Sequence, residues 1–228
     1  MNQPAATQHP AFFQPYVGED PRLSRIEVTT IGDLLLKAYD RYPDSPALVF
    51  PDSQWTYAEL VERALHTARG LKARVIKPRY HFRILMPRSP ELVQVFFAVA
   101  FCGAVSVLIN ARYKPSELAY VIENADLVSL ITTDTVAEHV DFVDRLQSAL
   151  PDLASSPDCY NLAIQNAPRL RNLVLLGDSQ ASGFIGRAAF ERGAESVSEL
   201  EVHRSRVTVR VRDNGLILYT SGTTSNPK

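Results

Sequence analysis

Three apolar runs, residues 81–86, 105–109 and 127–132, alternate with helical patterns at 90–103 and 115–125. Continuous apolar runs of this length suit strands buried on both faces. The helical segments between them supply the crossovers that parallel pairing requires. The pattern predicts an α/β fold, a mostly parallel sheet with helices on both faces. Further strands are expected at 47–50, around Trp55, at 173–176 and at 215–218.

Punctuation marks the helices. One is expected from Thr30, with Ile31, Leu34, Leu35 and Ala38 on one face and Pro43 beyond its end. Thr56 and Glu59 form a capping-box pattern before the stripe Leu60, Val61, Ala64 and Ala68, and Gly70 reads as a left-handed stop. Ser89-Pro90-Glu91 opens the next helix, with proline where its missing N–H costs nothing. A helix is expected over 136–150. Residues 153–170 read as irregular, 182–192 as surface loop or frayed helix, and 204–213 as an exposed strand. Residues 1–29 lack periodicity and read as an N-terminal arm, so the expected division is 1–29 arm and 30–228 folded domain.

The uncharged stretch 93–109 is 17 residues long, short of the roughly 20 that span a bilayer. Gln94, Gly103 and Ser106 interrupt it, so it reads as buried helix, glycine stop and buried strand, with no membrane span expected. The N-terminus lacks the basic start and apolar run of a secretory signal. Cys102 and Cys159 are far apart and outside any CxxC pattern, which fits a reducing compartment and a cytoplasmic location. The five histidines form no HExxH or similar spacing, so no protein-held metal site is expected. A net charge of -1 offers no overall field for nucleic acid.

Residues 215–228 read GLILYTSGTTSNPK, an apolar strand running into a hydroxyl-rich loop. Gly222 can turn backbone N–H groups toward an anion. Thr220, Ser221, Thr223, Thr224 and Ser225 can donate to phosphate oxygens, Pro227 stiffens the exit, and Lys228 adds a cation suited to outer phosphates. It is not the Walker pattern: Gly222 lies six residues before the lysine, and no glycine directly precedes Lys228. An unrelated phosphotransferase is therefore a poor fit.

YTSGTTSNPK, residues 219–228, closely resembles the phosphate loop of the adenylate-forming (AMP-binding) superfamily. WTYAEL at 55–60, LMP with SPE at 85–91, and FCGAVSVLIN with ARY and PSELAY over 101–120 resemble further segments of its acyl-CoA synthetase branch, in order. There are departures. Arg79-Tyr80-His81 stands where the family usually has a Gly-Asp turn, Arg88 where asparagine is common, and Ser225 where many members have glycine.

The resemblance implies the partial large N-terminal domain of the adenylate-forming fold. It also implies a reaction in which a carboxylic acid, of fatty-acid type, is activated by ATP to an acyl-adenylate and then passed to coenzyme A, with Mg2+ on the phosphates. Thr220, Ser221, Gly222, Thr223, Thr224, Ser225 and Lys228 would bind nucleotide; no catalytic residue is assigned. Adenine, magnesium and ribose contacts, and the catalytic lysine of a mobile C-terminal domain, are expected downstream of Lys228. The chain is therefore expected to be an N-terminal piece, inactive alone, with a homo-oligomer possible. A truncated, non-catalytic interaction or regulatory module is the alternative.

Overall fold

The computed structural model describes residues 29–108, 110, 112–136 and 140–219. Residues 1–28 and the loop from Thr220 to Lys228 lie outside the described residues.

The chain enters through α1 (Ile31–Arg41), capped by Thr30, whose side chain accepts from Asp33 N–H at 3.2 Å. The buried face is Gly32, Leu35 and Leu36, while Leu34 is exposed, which corrects the expected stripe by one position. A two-stranded antiparallel hairpin follows, β1 (Pro46–Phe50) and β2 (Ser53–Thr56). Thr56 and Glu59 form the expected capping box of α2 (Tyr57–Ala73).

Gly70 does not end that helix. It is helical and buried, and α2 continues to Ala73; the left-handed residue is Val75, at φ 62°. A Cβ on Gly70 would lie inside the ring of Phe190, so packing rather than turning demands glycine there.

The main sheet holds β3 (His81–Leu85), β4 (Val105–Leu108), β5 (Ser129–Thr132), β6 (Asn172–Leu175), β7 (Phe184–Gly186) and β8 (Leu216–Leu218). Their order is β7-β6-β5-β3-β4-β8, and every pairing is parallel. The connecting helices are α3 (Pro90–Phe101), α4 (Pro115–Asn124), α5 (Phe142–Ala149), α6 (Arg187–Glu195) and α7 (Glu199–Arg206). As expected, Ser89 caps α3 with Pro90 in its first turn, and Gly103, at φ +70°, turns the chain into β4.

Alternate residues of each strand feed two cores. Phe82, Ile84, Ile131 and Val174 pack under α1, α2, α3, α6 and α7. Leu85, Val107, Leu130, Leu173 and Leu175 pack under α4 and α5. Helices thus cover both faces, the condition for a parallel sheet in water.

Three segments differ from expectation. The helix expected over 136–150 begins at Phe142, because the Asp141 carboxylate accepts from Val143 and Asp144 N–H at 2.9 and 3.0 Å. Residues 182–192 contain β7 and the start of α6 rather than loop. The region read as a strand over 204–213 holds the end of α7 and turns. Arg206 of α7 forms an ion pair with Asp33, tying that helix back to α1.

Candidate functional site

All six strands of the sheet point the same way, so their carboxyl ends share one edge. The connection from β3 runs over one face to β4, while the chain from β4 crosses the other face to β5 and then moves away through β6 and β7. The direction of winding reverses between β3 and β5. Ligands of open α/β sheets bind outside the carboxyl ends at such a switch point.

A cleft of about 1000 Å³ opens there. Met86, Pro87 and Ser89 follow β3, Thr133, Asp134 and Thr135 follow β5, and Gly177 and Asp178 follow β6; α2 and α6 close the sides. The Asp134 carboxylate clasps two of these loops, accepting from Ser179 N–H at 2.8 Å. That bond holds its pKa below the ordinary carboxylate value. The cleft's charge is informative: seven carboxylates line it against three arginines and His66. Such a lining repels polyanions, so the phosphate chemistry expected from the sequence does not fit this cleft.

The opposite half of the same edge fits better. Strand β8 pairs with β4 through Ser106, Val107 and Leu108, and leaves the sheet at its carboxyl edge. The next residue, Tyr219, donates its hydroxyl to Asn124 Oδ1 at 2.7 Å, tying the exit of β8 to the end of α4. The proposed nucleotide-binding residues, Thr220, Ser221, Gly222, Thr223, Thr224, Ser225 and Lys228, follow directly and lie outside the described residues.

Beneath this exit sits a residue that the sequence reading passed over. Arg83 pairs with Val107 on one side and Leu130 on the other, in the centre of the sheet. It is wholly buried, and Nε, Nη1 and Nη2 have no hydrogen-bond partner; neither has the hydroxyl of Tyr113. Burial pushes the guanidinium from 12.5 down to about 9, still above neutrality, so it is a buried cation at pH 7. Its electrostatic neighbours are Tyr113, between β4 and α4, and Tyr219. A charged residue inside an apolar strand was the available signal: HFRILM carries one arginine among four apolar residues and a histidine.

Residues 35–228 match the family described as AMP-binding enzyme. The chain belongs to the AMP-binding enzyme family. Its relatives include YngI of Bacillus subtilis, named as an acyl-CoA synthetase, 33% identical over 203 residues covering 88% of this chain and 36% of that protein. The acyl-CoA ligase sidI of Aspergillus fumigatus is 31% identical over 208 residues, 87% of this chain and 32% of that one. The chain thus spans about a third of the length of these curated relatives.

Solved family structures share the fold. The anthranilate CoA ligase AuaEII, in complex with anthranoyl-AMP, superposes with a TM-score of 0.66 at 21% identity, covering 88% of this chain and 34% of that one. The N-terminal domain of FACL13 from Mycobacterium tuberculosis gives 0.60 at 24% identity, over 87% and 43%. The expected α/β architecture of an adenylate-forming N-terminal domain is therefore present. Among the described residues no helix is long and apolar enough to cross a membrane.

Proposed function

We propose that this chain contributes the N-terminal part of an enzyme that activates a carboxylic acid of fatty-acid type with ATP and transfers the acyl group to coenzyme A. The observation that carries the reading is the family match reaching Lys228, across a hydroxyl-rich loop that follows β8. Thr220, Ser221, Thr223, Thr224 and Ser225 would donate to the β- and γ-phosphates, Gly222 would bring backbone N–H groups inward, and Lys228 would meet the outermost charge.

The described residues fit an anion at that edge. Arg83 and Tyr113 bring four buried donor atoms without acceptors to the carboxyl ends of β4 and β8. Donors already oriented toward developing charge are an efficient way to stabilise a departing pyrophosphate. Mg2+, when bound to the nucleotide, bridges phosphate oxygens and draws off their charge. No cluster of three or more His, Cys, Asp or Glu side chains suited to a metal occurs among the described residues.

Because the chain spans about a third of its relatives' length, the 228 residues alone hold nucleotide without completing either half-reaction. The test is an assay of the purified chain with ATP, Mg2+, a fatty acid and coenzyme A. No AMP release is expected. Stoichiometric or catalytic AMP release overturns the division of labour, and failure to bind ATP overturns the nucleotide site.

A further inference from the structure

A buried cation without a counter-charge is costly, because desolvation outweighs every contact that does not neutralise it. Arg83 is such a group. It is fully buried, its three nitrogens are unpartnered, and the nearby Tyr113 hydroxyl is unpartnered too. An apolar side chain would pack the same position at lower cost. Structures that retain groups of this kind use the charge elsewhere.

The register says where. Arg83 pairs with Val107, and Val107 with Ile217, so the three form a row across β3, β4 and β8. Tyr219 stands two residues beyond Ile217, toward the carboxyl edge and on the same face. Arg83 interacts electrostatically with Tyr219 and with Tyr113, each at the carboxyl side of the row. The guanidinium therefore lies beneath the point where β8 leaves the sheet. With few dipoles around it, its field is weakly screened.

We infer that Arg83 is a positioning residue for phosphate binding: its buried charge holds Tyr219 and directs a positive field at the anion bound beyond it. The ligand class is a polyphosphate, and the inference rests on the nucleotide reading above. Arg83 does not touch the ligand. The counter-charge it lacks in the protein arrives with the phosphates.

Inorganic pyrophosphate is titrated calorimetrically into the full 228-residue chain and into Arg83→Met, Arg83→Lys and Lys228→Ala. Arg83→Met removes an uncompensated buried charge, so it folds and melts higher than wild type. Its pyrophosphate affinity falls roughly ten-fold, the size of one unit charge acting at about 10 Å through a partly screened medium. Arg83→Lys restores most of the affinity. Wild-type affinity in Arg83→Met overturns the inference, and if Lys228→Ala is weakened in the same series the nucleotide reading stands. If the wild-type chain takes no pyrophosphate, the nucleotide reading fails instead, and the alkaline absorbance titration of Tyr219 decides. Isolated by difference against Tyr219→Phe, its midpoint rises in Arg83→Met where Arg83 holds the phenol; an unmoved midpoint overturns that link and the inference with it.

Discussion

Gly70 of α2 lies against the ring of Phe190 of α6, 120 residues further along the chain, and its missing Cβ is the space the ring occupies. This contact joins the helix after the hairpin to the crossover between β7 and β8, and so braces one side of the cleft at the switch point.

Gly70→Ala sets two effects against each other. Helix propensity favours alanine by about 1 kcal/mol. Overpacking a filled core costs about 1–3 kcal/mol, and Phe190, only 2% exposed, has no solvent side to move into. The clash prevails, with a net destabilisation of about 1 kcal/mol or more in urea denaturation. A Gly70→Ala protein more stable than wild type would contradict the packing account.

Asp33 and Arg206 make the ion pair between α1 and α7, with the Arg206 side chain 7% and that of Asp33 20% exposed. Asp33→Ala leaves a nearly buried guanidinium without its carboxylate, at a cost of about 3 kcal/mol. Changing both, Asp33→Ala with Arg206→Met, recovers much of that loss. A double-mutant cycle by chemical denaturation measures it, and additive losses would show the pair to be uncoupled.

The thiols separate by environment. Cys102 is buried at the end of α3, its Sγ 3.5 Å from the Ala68 carbonyl, and burial pushes it up to about 12. Cys159 is partly accessible. An aromatic disulfide reagent at pH 8 is expected to modify one thiol quickly in the native protein and both in denaturant. Rapid modification of Cys102 in the native state would mean that the α2–α3 packing opens readily.

Acid loosens the loop clasp. The Ser179 N–H lowers the Asp134 pKa in the folded state, so the carboxylate stabilises the clasp above its unfolded value, near 3.8. That contribution is lost as pH falls through the depressed folded value. Amide exchange at Ser179 should accelerate below pH 4, and Asp134→Asn should remove that step. An exchange rate that ignores both pH and the substitution would show the bond to be incidental.

The central strands and several helix starts were legible in the sequence because each carries its cause locally. Apolar runs made β3, β4 and β5, Thr56 with Glu59 capped α2, and Ser89 with Pro90 opened α3. Gly70 was misread because its reason is a ring from a distant helix. Strand β7 has three residues, too few for a period to show. Helix α7 carried a readable sign, the capping box Ser198 to Glu201, but its face is mostly charged and its hydrophobic stripe short. Arg83 hid inside an apolar run, where periodicity counts residues without asking what a lone charge is for. The cleft at the switch point came from strand order, which no local pattern encodes.

The most direct test of the central claim is a calorimetric titration of MgATP into the 228-residue chain, run beside Lys228→Ala. The account predicts saturable binding at one site, weakened about ten-fold or more when Lys228 is removed, as expected for a charged contact to phosphate. Absence of binding, or equal binding by both proteins, would contradict a phosphate site at the exit of β8.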